Sequence, residues 1–260
     1  MNNWKTNLKL FCENPGKSEI ILRHGVERVY ISSLASQLYC ENKLDFDIIN
    51  QPESNTQQIK GNEIHDALIP MEETSIEKII EQIENKIEII AIFPVYFDFK
   101  GVKISGITDG ILFRDGKPIY LFEIKTTNGS IDKIWPGELF QAELYSHALE
   151  FMGFDIRNLS IIIPKVKQEI DKESLIKIMI NTIDNAKRGR KSIKLPNRPI
   201  RIHVIKYSSI SKLEFELTLN KLISFWRDNR TPNHSGNPAK CKSCPYTAEC
   251  NFYHNGVLID

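Results

Sequence analysis

The stretch KISGITDGILFRDGKPIYLFEIK, residues 103–125, decides how this chain is read. Two apolar runs flank Arg114-Asp115-Gly116-Lys117, and Asp-Gly between such runs is a strong hairpin signal. The pattern predicts paired strands over 103–113 and 118–125. In an extended strand, residues two apart face the same side, so Glu123 and Lys125 project together while Ile124 points into an apolar layer. Asp109, on the preceding strand, can bring a second carboxylate to that pocket. Two carboxylates make an oxygen-rich site of the kind Mg²⁺ or Mn²⁺ prefers. A cation held there would polarise a phosphoryl oxygen and lower the pKa of a bound water. Taken alone, an Asp followed by Glu-x-Lys also describes ordinary strand-edge charges and ion pairs.

Outward from the hairpin, helical and extended segments alternate. Residues 31–44 have helical spacing and carry Cys40, and a second candidate helix over 57–69 contains His65. Ser75 to Ile90 repeats Ile76, Ile79, Ile80, Ile83 and Ile87 at helical intervals. Pro94 to Phe99 opens a β region. Helices are expected over 137–151, 170–188 and 209–228, and strands over 159–163 and Ile200–Tyr207. The order predicts an α/β fold with a mixed sheet. A polar connector, Asn229 to Lys240, carries Pro232 and Pro238 and leads into a cysteine-rich end. The resulting division is an N-terminal extension (1–30), a core (31–228) and a cysteine-rich segment (229–260).

Cys241, Cys244 and Cys250 place three thiolates in a C-x2-C-x5-C run, and a tetrahedral site needs one more ligand. Cys40 can supply it if folding brings the chain ends together; a zinc site completed by His234 or His254 is the alternative. Five cysteines make an odd number, so a fully paired disulfide framework is not expected, and Cys12 is a spare thiol, buried or harmless. No apolar run approaches the roughly 20 residues that cross a bilayer, and Met1-Asn2-Asn3-Trp4-Lys5 lacks a signal-peptide pattern. A cytoplasmic protein without membrane contact is expected.

A net charge of +1 hides an asymmetry. Residues 1–150 carry 15 Lys+Arg and 23 Asp+Glu, net −8, and residues 151–260 carry 19 and 10, net +9. Lys187-Arg188-Gly189-Arg190-Lys191, with Lys194, Arg198 and Arg201, could follow a phosphate backbone, although charge runs are also common on solvated loops. An acidic first half suits nucleic acid only if cations neutralise part of it.

Gly61-Asn62-Glu63-Ile64-His65, Gly106-Ile107-Thr108-Asp109, Phe122-Glu123-Ile124-Lys125, Gln141-Ala142-Glu143-Leu144-Tyr145 and Cys241-Lys242-Ser243-Cys244-Pro245 through Cys250 together resemble the PD-(D/E)XK superfamily. The likeness runs from about Ser32 to Cys250 and is to the RecB-like iron–sulfur branch, closest to the CRISPR-associated iron–sulfur exonucleases. The family's Pro-Asp is Thr108-Asp109 here; the first thirty residues and the stretch after Ile163 do not match.

The resemblance implies a PD-(D/E)XK nuclease core, a central mixed sheet flanked by helices, with a C-terminal iron–sulfur segment. It implies that His65, Asp109, Glu123 and the main-chain carbonyl of Ile124 bind Mg²⁺ or Mn²⁺, and that Lys125 is the catalytic lysine. Gln141 and Tyr145, four apart on one helix face, are assigned to DNA positioning or active-site support; a polar helix face with a packed Tyr is the alternative. Cys40, Cys241, Cys244 and Cys250 are expected to hold a 4Fe-4S cluster, with zinc the alternative. The expected activity is a DNA exonuclease acting on single-stranded DNA or free ends, in CRISPR adaptation and with partners from that system. A nuclease component of a helicase–nuclease complex and a cluster-stabilised DNA-binding accessory subunit are the alternatives.

Overall fold

The computed structural model describes residues 4–50, 75–167, 180, 182–185, 192–195, 199–254 and 257–258. In chain order the elements are α1 (Trp4–Glu13), β1 (Val29–Tyr30), α2 (Ile31–Gln37), α3 (Glu41–Asn50), α4 (Ile76–Glu84), β2 (Ile89–Ala91), β3 (Pro94–Phe99) and β4 (Val102–Ile107). Then come β5 (Gly110–Arg114), β6 (Lys117–Phe122), β7 (Lys125–Thr126), α5 (Pro136–Met152), β8 (Ser160–Val166), β9 (Ser192–Lys194) and β10 (Ile200–Lys206). The chain closes with α6 (Lys212–Trp226), α7 (Pro238–Lys242), β11 (Tyr253–His254) and β12 (Val257–Leu258).

Two sheets carry the core. The larger has the order β2-β5-β6-β8-β10-β9, with β7 also pairing β8; β8 runs parallel to β6 and β7, and the other pairs are antiparallel. The smaller has the order β1-β4-β3. Asp115 (φ 53°) and Gly116 (φ 74°) both take positive φ at the β5–β6 turn, as a tight hairpin of matching twist requires. Alternate residues of the larger sheet serve two cores. Ile111, Phe113, Leu121, Ile161 and Ile163 pack on the side of α5, whereas Leu112, Phe122, Ile124 and Ile162 pack on the other with Ile183, Ile193 and Ile202. This two-sided burial explains the unbroken apolar run Ile161-Ile162-Ile163.

Helix α5 is the crossover between β6 and β8, and Phe140, Ala142, Leu144, Tyr145, Ala148, Leu149 and Met152 are all buried on it. A helix apolar on most faces belongs between layers, and α5 lies against both β3 and α2. At Gly137 a Cβ would stand 2.8 Å from the Ala35 carbonyl oxygen, so glycine permits the close crossing of α5 and α2.

The mixed α/β sheet flanked by helices matches expectation, but four elements differ. The single helix expected over 31–44 is two, α2 and α3, with Cys40 at the elbow. The second helix starts afresh because the backbone N–H groups of Glu41 and Asn42 both donate to the Asn233 carbonyl, at 3.1 and 3.2 Å, which satisfies donors that a helix start otherwise leaves open. The expected strand 103–113 is β4 and β5, in different sheets, broken at Thr108-Asp109. Helix α4 stops at Glu84 rather than Ile90, because Lys86 takes φ 58° and Ile89 enters β2. Strand β8 continues past Pro164 to Val166. Candidate helix 57–69 lies outside the described residues, as does most of 170–188. No helix among the described residues is long and apolar enough to cross a membrane.

Candidate active site and cysteine cavity

The break between β4 and β5 is what turns Asp109 toward the neighbouring hairpin strand. Its Oδ2 accepts a hydrogen bond from the Ile124 N–H at 2.6 Å, where β6 ends and β7 begins. Glu123 N–H donates to the Ile162 carbonyl at 2.9 Å, so the β6–β7 step stays fixed to β8 while its side chains converge. Glu123 is buried, and Ile124 packs into the core on the opposite face, as the alternation predicted. Lys125 Nζ lies 2.7 Å from Glu123 Oε1 and donates to Gln141 Oε1 at 2.9 Å. Gln141 Nε2 reaches Tyr145 Oη at 3.5 Å, one turn along α5.

Electrostatics follows this geometry. Burial works against the charge on Lys125, but the Glu123 carboxylate, with Asp109 and Glu138, outweighs it and holds the ammonium above its usual range. Burial, then the charges of Glu123 and Asp109, push the Tyr145 phenol far up, so it stays neutral. Gly106 makes room for that ring: a Cβ there would stand 2.9 Å from Tyr145 Cε1 and 3.1 Å from Ile31 Cβ. The donor set is two carboxylates beside an ammonium, which suits a hard divalent cation bound through oxygen. His65 lies outside the described residues.

Lys165 was not foreseen. It is fully buried, donates to the Lys133 carbonyl at 2.7 Å and to Glu138 Oε2 at 3.0 Å, and sits in register beside Lys125 on β8. Glu138 also accepts from the Trp135 N–H at 2.8 Å, so one carboxylate starts α5 and fastens its first turn to the sheet. The apolar run into Pro164 reads as a strand ending there, which hid Lys165.

Cys40, Cys241, Cys244 and Cys250 line one small cavity of about 20 Å³, together with His234 and Tyr246. All four thiols are free and partly exposed, whereas Cys12 is exposed rather than buried. Asn42 Nδ2 donates to Cys250 Sγ at 3.3 Å, and Ser235 Oγ lies 3.6 Å from Cys241 Sγ. Burial pushes the Cys244 thiol up, with Cys40 and Cys250 adding to it and Lys43 opposing. His234 stacks on Phe252, and its Nδ1 accepts from the Gly236 N–H at 3.2 Å. No three His, Cys, Asp or Glu side chains among the described residues are gathered to hold one ion.

Polar contacts also close the two chain ends. Buried Glu41 pairs with Arg230 and accepts from the Asn233 N–H at 2.7 Å. Gln37 donates to the Leu222 carbonyl at 3.0 Å and accepts from Trp226 Nε1 at 2.9 Å.

No curated protein matches the chain. A solved structure titled "Crystal structure of SSO0001" aligns over 95% of this chain and 94% of its own, at 15% identity and a TM-score of 0.46. A family model described as "PD-(D/E)XK nuclease superfamily" matches residues 36–251, which span α3, the Asp109 and Glu123-Ile124-Lys125 segments, α5 and the cysteine run. With that match over most of its length, this chain belongs to the PD-(D/E)XK nuclease superfamily.

Proposed function

We propose that the protein is a metal-dependent DNA exonuclease that trims single-stranded DNA or DNA ends. The observation that carries this is the Asp109, Glu123, Lys125, Gln141 chain of contacts across the β4–β5 break, the β6–β7 step and α5. Asp109, Glu123, the Ile124 carbonyl and His65 would hold Mg²⁺ or Mn²⁺. That cation, when bound, supplies Lewis-acid polarisation of the scissile phosphoryl group and a more acidic water. Lys125 keeps its proton because Glu123 faces it, so its ammonium can donate to charge that develops on the phosphoryl oxygens. Gln141 fixes where Nζ points, and Tyr145, kept neutral, orients Gln141 and closes the pocket floor.

The second part of the proposal is a 4Fe-4S cluster on Cys40, Cys241, Cys244 and Cys250, with a structural role. Its support is that all four thiols, from opposite ends of the chain, line one cavity. A role in CRISPR adaptation rests on the sequence resemblance, and the neighbouring genes are its test.

We infer end dependence from closure of the chain ends by Cys40 and the C-terminal cysteines, which would form a passage beside the metal pocket and favour a threaded strand. Linear and circularised forms of one single-stranded oligonucleotide, compared under Mn²⁺ or Mg²⁺, test it. The linear form should be degraded much faster; equal initial rates would mean an endonuclease.

A further inference from the structure

The registers of four neighbouring strands place four cations in one line. Lys125 on β7 stands opposite Lys165 on β8, Lys165 opposite Arg201 on β10, and Arg201 opposite Lys194 on β9. Residues paired in this way project from the same face of a sheet, here the face of α5. Three strand steps of roughly 4.8 Å carry the row about 14 Å from the active-site lysine to the sheet edge. Like charges in a row repel, and each inner member has an acid beside it: Glu123 for Lys125, Glu138 for Lys165 and Asp132 for Arg201. Lys194, at the outer end, is exposed and has no ion-pair partner among the described residues.

The connector between β7 and α5 lies over the middle of the row and is fastened to it. Lys165 donates to the Lys133 carbonyl, Arg201 pairs with Asp132, and His203 Nε2 donates to the Ile131 carbonyl at 2.9 Å. Beside that connector an open groove of about 480 Å³ is lined by Gly129, Ser130, Asp132, Lys167, Lys194 and Pro199. Lys167 is also exposed, two residues beyond Lys165, and its backbone N–H is held by the Pro199 carbonyl at 3.3 Å. Two exposed ammonium groups therefore flank a groove at the outer end of the sheet row that begins with Lys125.

We infer that this groove binds the phosphodiester backbone of the substrate strand outside the scissile position, with Lys167 and Lys194 as its phosphate contacts. The inference rests on the nuclease reading and adds to it a place where the strand runs. The occupant follows from charge: the phosphates of a strand match the two exposed ammonium groups that stand at the outer end of a sheet row beginning at Lys125. A dinucleotide carries a single phosphodiester, so with that bond at the cleavage position it has no further phosphate for Lys167 or Lys194.

The test is the double variant Lys167→Glu/Lys194→Glu in the full-length protein, with Lys9→Glu/Lys221→Glu, on α1 and α6, as a charge-matched control. Affinity for a labelled single strand of about 20 nucleotides is read by fluorescence anisotropy in EDTA across a salt series, and turnover of a dinucleotide, too short to place a phosphate in the groove, is read under Mn²⁺. The double variant should bind the long strand about tenfold more weakly, with a log–log salt slope shallower by about 1.4, and should turn over the short substrate as wild type does. Unchanged affinity and slope, or an equal loss in the control, would overturn the groove while wild-type cleavage left the nuclease reading standing. Wild-type protein that neither binds nor cleaves DNA would overturn both.

Discussion

The carboxylate site and the cysteine cavity are built by opposite means. Asp109, Glu123, Lys125, Gln141 and Tyr145 all belong to one hairpin and the helix that follows it, and they meet inside the fold with Glu123 and Tyr145 buried. Cys40 meets Cys241, Cys244 and Cys250 across nearly the whole chain, at a rim where every thiol is partly exposed. The first arrangement is held by sheet pairing and core burial, and needs no bound group to keep its shape. The second depends on closure of the ends, to which Glu41–Arg230 and Gln37–Trp226 contribute whatever the thiols hold. A bound metal group would thus add stability mainly at the rim and chemistry mainly at the sheet.

The largest effect should separate the two sites outright. Asp109→Ala or Glu123→Ala should lower turnover by about a thousandfold or more and abolish Mn²⁺ binding measured by calorimetry. Cys244→Ser should still bind Mn²⁺ while folded, and its loss of that binding would erase the distinction. Next comes the rim itself. Anaerobically purified protein should be brown with about four irons per chain, and Cys40→Ser should lose as much thermal stability as Cys244→Ser, about 3 kcal/mol or more. Colourless folded protein holding one tight zinc would replace the cluster, and a much milder Cys40→Ser would remove that residue from the ligand set.

A smaller effect tests whether a charge near α5 needs a partner. Glu123 has Lys125 at 2.7 Å, whereas burial, then the charge of Glu214, push the Glu143 carboxyl up to about 7. Its folded value therefore lies above its unfolded one, so the fold takes up a proton there. Stability from this group is fully present below about pH 4.5 and is lost as pH rises through about 7. Glu143→Gln should then stabilise the protein by about 1 kcal/mol at pH 8, a figure reduced for the group's partial exposure, and change little at pH 4. Denaturant melts at the two pH values check it, and equal effects at both would contradict the assignment.

The sequence made the β5–β6 hairpin legible because its signals are local: Asp115-Gly116 sets the turn, and the period of two puts Glu123 beside Lys125 and Ile124 behind them. What it concealed was decided at a distance. The switch from β4 to β5 between two sheets leaves no break in the apolar pattern, since Ile107 and Ile111 fit a single strand equally well. The elbow that presents Cys40 comes from the Asn233 carbonyl, a partner that no helical periodicity encodes. Lys165 hid behind Pro164, which usually marks a strand edge but here sits inside β8.

Lys125 is where the account is most exposed, because its ammonium is held by Glu123 and Gln141 without being tied to the backbone frame of the site. The measurement is turnover of linear single-stranded DNA by Lys125→Ala under Mn²⁺, beside its DNA affinity by anisotropy and its melting temperature. A turnover loss of about a thousandfold or more, with affinity within about twofold of wild type and the fold retained, is the predicted result. Metal-dependent turnover at the wild-type rate in the folded variant would contradict the nuclease assignment of this site.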